Sequence, residues 1–323
     1  MSQNSMRILV CSAGRRVGLI QCFRSAAERL NIDLKVYASD LVPDEAAACA
    51  IADVALKMPR SDAPEYAAAV LQAVKENAID LLVPTIDPDL KPLALAHEEF
   101  AQAGARLHVS PAHVIDIVRD KRLTAEVLAA AGVPVPSTLS LDELRATPDR
   151  LNWPVFAKPS GGSASRGLQV FERIEDVPTE FPEPMIFQNL VKGPEFTVNI
   201  FVDADGVLRT VIPHLRKSIR AGEVEKGVTR RRQDLRDIAE GIVSALPDLR
   251  GVACFQTLED EVHGPCVIEI NARFGGGYPL ADHAGATFAQ WLLEETMGRP
   301  CTAHDDWREG VRMMRYDSAV YID

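Results

Sequence analysis

Positive charge is scarce in this 323-residue chain: 35 Lys and Arg stand against 46 Asp and Glu, a formal charge of −11. Nucleic-acid affinity rests on neutralising phosphates with Lys and Arg, so this balance excludes a dedicated polyanion binder while leaving room for a local basic pocket. Paired cysteines are missing as well. Cys11, Cys22, Cys49, Cys254, Cys266 and Cys301 are scattered, with no C-x-x-C pair and no His at zinc spacing. They read as free thiols in a reducing compartment, several of them as small apolar residues within strand-like or helical stretches. No run approaches the roughly 18 apolar residues of a membrane helix. The apolar run that ends at Cys11 is too short for a signal-peptide core. The expectation is a cytoplasmic protein with no membrane and no nucleic-acid partner. Two phosphate-binding signatures are also absent, since neither G-x-x-x-x-G-K-[ST] nor G-x-G-x-x-G occurs.

What remains is an ordinary globular balance, 47% hydrophobic and 25% charged. The length favours two or three packed domains over a single core. The first third alternates strand-like runs at 8–11, 34–38, 79–83 and 106–109 with helical stretches ending at Leu30 and spanning 67–75 and 90–103. Such alternation predicts a parallel sheet of βαβ units. The pattern changes near residue 150. Short strands at 154–158 and 168–171 flank a glycine-rich loop, and those at 196–202 and 208–212 flank the hairpin signal Asp205-Gly206. A further pair, 252–258 and 266–270, flanks His263-Gly264-Pro265. This half is expected to be mostly antiparallel, with helices at 235–246 and 288–297. The boundary falls within 110–120, where Ser110-Pro111 reads as an N-cap followed by Pro at the first helical position.

The densest chemistry lies in Phe156-Ala157-Lys158-Pro159-Ser160-Gly161-Gly162-Ser163-Ala164-Ser165-Arg166-Gly167. A Lys at a strand end followed by a small-residue loop suits a triphosphate, because backbone N–H groups approach phosphate oxygens only where side chains are absent. The competing reading is a hairpin tip. A second signal is Val267-Ile268-Glu269-Ile270-Asn271-Ala272-Arg273. Residues two apart share a strand face, so Glu269 and Asn271 project together, Arg273 continues that face, and Gln256 on the preceding strand reaches the same place. Oxygen ligands of this kind suit Mg²⁺, which binds through a few protein groups plus substrate phosphates. The competing reading is the solvent face of an amphipathic strand.

Segment 209–236 carries nine basic residues against three acidic ones. Arg216 and Arg220 are candidates for holding a carboxylate or phosphate, since Arg forks match these anions. Arg230, Arg231 and Arg232 read better as a solvated helix start. The turn from Ser12 to Gly18, Asp40 and the loop Pro84-Thr85-Ile86-Asp87 sit at strand C-terminal ends, where open α/β sheets gather ligands. Arg15, Arg16, Asp40 and Asp87 each read singly as cap or turn residues, and as a group as candidate ligand contacts. Asp282 and His283 are similarly placed, with His283 a candidate acceptor-site base.

The loop and the strand, in this order and separation, resemble the ATP-grasp superfamily, nearest to single-chain relatives of the carbamoyl-phosphate synthase large subunit and biotin carboxylase. The resemblance implies an α/β plus α+β fold. A Rossmann-like pre-ATP-grasp domain would span 1–115, a small lobe with the glycine-rich loop 116–187, and a large lobe with the Mg-binding strands 188–323. It also implies roles. Lys121, in the helix opening Asp120-Lys121-Arg122, and Lys158 would hold ATP phosphates under a loop containing Ser160, Gly161, Gly162, Ser163 and Gly167. The hinge from Gln188 would bind adenine through backbone groups near Asn189 and Leu190, and Glu195 would accept from the ribose. Gln256, Glu269 and Asn271 match the positions that bind Mg²⁺, with Mn²⁺ as a substitute. Arg273 matches the basic residue near the transferred phosphate. The stretch 216–229 resembles the loop lying over the acyl-phosphate site, which makes Arg216 a catalytic candidate beside Lys158 and Arg273. Gln188 and Gln256 replace the carboxylates of many members, and Ala272 the usual proline. The implied activity is an ATP-dependent carboxylate–amine ligase passing through an acyl phosphate and releasing ADP and phosphate. Its partners would be a small carboxylate and an amine, and a homodimer is common in relatives. Carboxyphosphate or carbamoyl-phosphate-type chemistry is the alternative within the fold; a non-catalytic ATP-binding regulator is the alternative from another class.

Overall fold

The computed structural model describes residues 4–162, 166–262 and 264–322; Ser163 and His263 therefore lie outside the described residues. Strands β1 (Ser5–Cys11), β2 (Asp33–Asp40), β3 (Val54–Lys57), β4 (Leu81–Pro84) and β5 (Arg106–Leu107) form a parallel sheet in the order β3-β2-β1-β4-β5. Helices α1 (Val17–Leu30), α2 (Ala47–Ile51), α3 (Tyr66–Asn77), α4 (Asp87–Leu95) and α5 (His97–Gln102) lie between and after its strands. β1 and β4 are apolar almost end to end because both faces of the sheet are covered. Leu9 and Leu82 enter one core, and Ile8, Val10, Leu81 and Val83 the other. The strand order reverses beside β1, so the turns that follow β1 and β4 rim a crevice.

The helix expected over 90–103 is instead two, beginning at Asp87 and broken at Ala96. The extra first turn is set by Pro88, whose missing N–H costs nothing there, a signal that apolar periodicity does not carry. Helices α6 (Ala112–Arg119) and α7 (Lys121–Ala130) follow. Pro111 occupies the N-cap position of α6, one residue later than expected. The Ser110 hydroxyl accepts instead from the Arg250 backbone N–H at 3.2 Å.

Strands β6 (Thr138–Ser140), β7 (Val155–Pro159), β8 (Gln169–Phe171) and β9 (Met185–Asn189), with helix α8 (Leu141–Ala146), make a small antiparallel sheet ordered β6-β9-β7-β8. It has its own core around Leu139, Leu144, Val155 and Phe187. A larger antiparallel sheet holds β10 (Glu195–Val202), β11 (Leu208–Arg220), β12 (Glu223–Thr229), β13 (Gly251–Asp260), β14 (Gly264–Asn271) and β15 (Arg312–Met314). Its order is β14-β13-β10-β11-β12-β15, packed with helices α9 (Gln233–Ala245), α10 (Tyr278–Ala284) and α11 (Phe288–Thr296).

Two expectations fail here. Residues 216–229 are not a loop but the end of β11 and all of β12, paired antiparallel and turned at Ala221 (φ 51°) and Gly222 (φ 77°). Two adjacent positive φ values give a turn whose twist matches the flanking strands. The hairpin is too polar to show an apolar alternation, so periodicity misses it. Arg231 and Arg232 are not simply solvated either. Arg231 stacks 4.1 Å from the Trp307 ring centroid, and Arg232 pairs with Asp234 and Glu259.

The parallel sheet and the large sheet share two apolar cores, one reaching α6, α7 and α9, the other running through α1, α10 and α11 around Trp291. Among the described residues, no helix is long and apolar enough to cross a membrane.

His108, just past β5, plugs the seam between the two sheets. Its ring lies 5.5 Å from that of Phe274, and a Cβ on Gly251 would overlap it. Burial holds its pKa down at about 3, against the ordinary 6.5. The unfolded chain therefore binds a proton that the folded chain refuses, and stability is complete above pH 6.5 and lost as pH falls toward 3. This residue contributes a slope of up to about 1.4 kcal/mol per pH unit in that window. His108→Gln should flatten urea-derived stability against pH by that amount, while the similarly buried His214 keeps its own share. Identical slopes in both proteins would refute the assignment.

Candidate active site

The three sheets border one cleft of about 490 Å³. At one end it is apolar, lined by Pro136, Phe156, Leu258 and Ile268 together with Gln188 to Val191 where β9 runs out. Gln188 Nε2 donates to Thr138 Oγ1 at 2.8 Å, and Asn189 Oδ1 accepts from the Asn152 backbone N–H at 2.8 Å. These side chains brace the strand end. Gly193 follows, and a Cβ there would run into the Glu259 carbonyl, so only glycine lets the hinge cross β13 and deliver Glu195 to the cleft. Burial raises the Glu195 pKa.

Two lysines face the same cleft, one of them, Lys158, beside Phe156 and Ile268. Lys158, at the end of β7, is buried with Nζ donating to the Ile268 carbonyl at 3.1 Å. Burial lowers its pKa to about 8, opposed by the Glu269 charge. Lys121 opens α7, which Asp120 caps by accepting from the Arg122 and Leu123 N–H groups. The glycine loop is stitched to this helix start: Ser160 Oγ donates to Asp120 at 2.6 Å, and Lys121 Nζ donates to the Gly162 carbonyl at 3.1 Å. Gly161 and Gly162 line the cleft. Ser160 is buried behind it, and Gly167 packs near Pro159, neither of them lining it.

On the large sheet, Gln256 stands opposite Glu269 in the β13–β14 register, and Asn271 lies two residues further on the same face. Asn271 Nδ2 donates to Glu269 Oε1 at 3.1 Å, while its Oδ1 accepts from Arg273 Nη2 at 3.0 Å. Among the described residues no group of three His, Cys, Asp or Glu could hold a metal. One carboxylate with two amide oxygens fits a hard cation that arrives with phosphate oxygens, as Mg²⁺ does, and does not fit a metal held by protein alone.

Arg273 is where the sequence reading placed it, yet its fork is engaged. Nε and Nη2 donate to the two oxygens of Asp87 at 3.1 and 2.8 Å, and Nη1 donates to the Phe274 carbonyl. Arg216 departs further from expectation. It pairs with Glu195 and donates to the Gly222 carbonyl at 2.7 Å, so its fork is also engaged. Asp40 accepts from the Gly14 N–H, and Asp282 accepts from the Tyr278 hydroxyl; neither lines the cleft, nor does His283.

Sequence reasoning missed Glu223, Arg315 and Arg119. Glu223 joins Arg16 at 3.0 Å to Arg315 at 2.7 Å. Arg119, at the last turn of α6, lines the cleft near Lys121. Glu223 also explains Gly276, where a Cβ would overlap its carboxylate, while one on Gly277 would lie 2.8 Å from His214 Nε2. The signal was the glycine run itself, which marks a place where something approaches the backbone closely.

The architecture is that of a nucleotide clasp, a parallel α/β domain joined to two antiparallel sheets that border one charged cleft. Residues 8–108 match the PylC-like, N-terminal domain, and residues 118–277 match the ATP-grasp domain; the chain is an ATP-grasp protein. It is 32% identical over 115 residues to the carbamoyl phosphate synthase large chain of Beutenbergia cavernae, covering 35% of this chain and 10% of that one. The chain thus spans about a tenth of that relative's length. Its fold is similar to a biotin carboxylase–ATP complex from Campylobacter jejuni, with TM-score 0.76, 17% identity and coverage of 95% of this chain and 74% of the other. It is also similar to an L-amino acid ligase from Bacillus licheniformis, with TM-score 0.68, 18% identity and coverage of 94% and 77%.

Removing Asp87 leaves a buried guanidinium without its counter-charge, which costs about 3–5 kcal/mol where such pairs have been broken. Asp87→Ala should lower the urea midpoint accordingly. Stability within about 1 kcal/mol of the parent would mean that Arg273 finds another partner.

Proposed function

We propose that this protein is an ATP-dependent carboxylate–amine ligase that works through an acyl phosphate. The observation that carries the reading is the meeting in one cleft of Lys121, Lys158, Glu269 and Asn271 with Arg16, Asp87 and Arg273. In this reading residues 1–115 form the substrate-facing domain, while 116–187 and 188–323 are the two lobes that clasp ATP. Adenine lies against Phe156 and Leu258 and is read by the backbone beyond Asn189, with Glu195 accepting from the ribose. Lys121 and Lys158 hold phosphates, and the hydrogen bonds of both go to backbone carbonyls.

Gln256, Glu269 and Asn271 would hold Mg²⁺, or Mn²⁺ in its place, which supplies neutralisation of the β- and γ-phosphate oxygens. A donor carboxylate attacks the γ-phosphorus, the bond to the bridging oxygen breaks, and ADP leaves. Arg273, fixed by Asp87, adds positive charge beside the transferring group. An amine then attacks the acyl carbon, a C–N bond forms, and inorganic phosphate and one proton are released. The loop from Ser160 to Gly167 limits water at the acyl phosphate.

ADP release measured with pooled amino acids and small carboxylates tests the reading. Stimulation by a carboxylate is expected, and Glu269→Ala should reduce it by roughly a hundred-fold or more with the melting temperature unchanged. Undiminished release in that variant would sink the metal assignment. ADP release indifferent to every carboxylate and amine would favour a non-catalytic ATP-binding regulator.

A further inference from the structure

The wall of the cleft away from the nucleotide carries charges in alternation. Arg16, the N-cap of α1, donates from Nη1 to Glu223 Oε1 at 3.0 Å and from Nη2 to the Thr85 carbonyl at 3.4 Å. Glu223 opens β12, and its other oxygen accepts from Arg315 Nη1 at 2.7 Å. Arg315 Nη2 donates to the Gly276 carbonyl. Three segments far apart in sequence thus place a carboxylate between two guanidinium groups, each side chain remaining 19–31% exposed. Arg16 and Glu223 both line the main cleft. Glu223 also lines a side pocket with Arg15, Arg220 and Arg315. Arg16 is near enough to Arg273 for their charges to repel, which puts it on the side where the phosphoryl group arrives.

This pattern selects among ligands. A simple anion approaching Arg16 meets the Glu223 carboxylate, and a simple amine approaching Glu223 meets two guanidinium groups. A ligand bearing opposite charges on one carbon gains from both. The Gly275–Gly277 run keeps Glu223 in place, since a side chain at 276 would displace its carboxylate.

We propose that the acyl donor of this cleft is an α-amino acid, its carboxylate seated between Arg16 and Arg273 and its ammonium group on Glu223. The inference rests on the ligase reading and names its substrate class. Arg315 acts as a positioning residue that holds Glu223. Bicarbonate and unsubstituted carboxylic acids are disfavoured as donors because they offer Glu223 no positive charge.

The test traps the acyl phosphate. The protein is incubated with MgATP, excess hydroxylamine as the trapping nucleophile, and each of the common α-amino acids in turn. Parallel reactions use the acids that lack the amino group, and bicarbonate. The expected result is hydroxamate formation with one or a few amino acids and at least a ten-fold lower rate with their des-amino counterparts, as loss of a charge-assisted hydrogen bond implies (roughly ten- to hundred-fold). Glu223→Gln, nearly isosteric and uncharged, should raise the KM for the amino acid by a similar factor and narrow its advantage over the des-amino acid. Hydroxamate from des-amino acids or bicarbonate at rates equal to or above those of amino acids would overturn the inference and leave the ligase reading standing. No hydroxamate and no stimulated ADP release from any carboxylate would overturn the ligase reading itself. The wild-type comparison needs no variant, so a Glu223→Gln protein that fails to fold does not shelter the proposal.

Discussion

The pairing of Arg273 with Asp87 holds the molecule's chemistry together. One partner leaves β14 of the large sheet, and the other opens α4 of the parallel α/β domain. Both are buried, so neither is stable there without the other. Its influence continues along a chain of hydrogen bonds. Arg273 donates to Asn271, and Asn271 donates to Glu269. The orientation of the Glu269 carboxylate is therefore tied, through three successive contacts, to Asp87 on the parallel α/β unit. Docking of the two domains and assembly of the site are one event.

The same rule governs the rest of the cleft. Three of its arginines are paired with a carboxylate from another segment: Arg216 with Glu195, Arg273 with Asp87, and Arg16 with Glu223, which Arg315 shares from the side pocket. Lys121 and Lys158 differ: their ammonium groups donate to backbone carbonyls, while Glu269 acts on both through space and not as a direct partner. A carbonyl dipole offsets less of a buried charge than a directly paired carboxylate does. A chain with net charge −11 thus keeps in one cleft two ammonium groups with no direct carboxylate partner among the described residues.

Several features of the backbone become intelligible from what they approach. Gly193 crosses the Glu259 carbonyl, and Gly276 and Gly277 pass over Glu223 and His214. In the structure they are contact points between strands and the turns that carry functional side chains. The hairpin turned at Ala221-Gly222 has the same character: its strands are polar because one edge faces the cleft, and that polarity hid it from a reading based on apolar alternation.

Local order was legible from the residues alone. β1, β4, β10 and β13 are apolar runs because sheets buried on a face require them, and the Lys158 loop and the Glu269–Asn271 face are fixed by short-range periodicity. The split of α4 from α5, the hairpin at 216–229 and the partners of each charge were not legible. Arg216 reads as a free anion binder until Glu195 is set beside it, and Arg273 until Asp87 arrives from 186 positions away. A sequence determines which side chains share the face of one strand or helix, because backbone geometry does that within a few residues. Which charges are left free after folding depends on pairings between distant segments, and only the tertiary structure decides those.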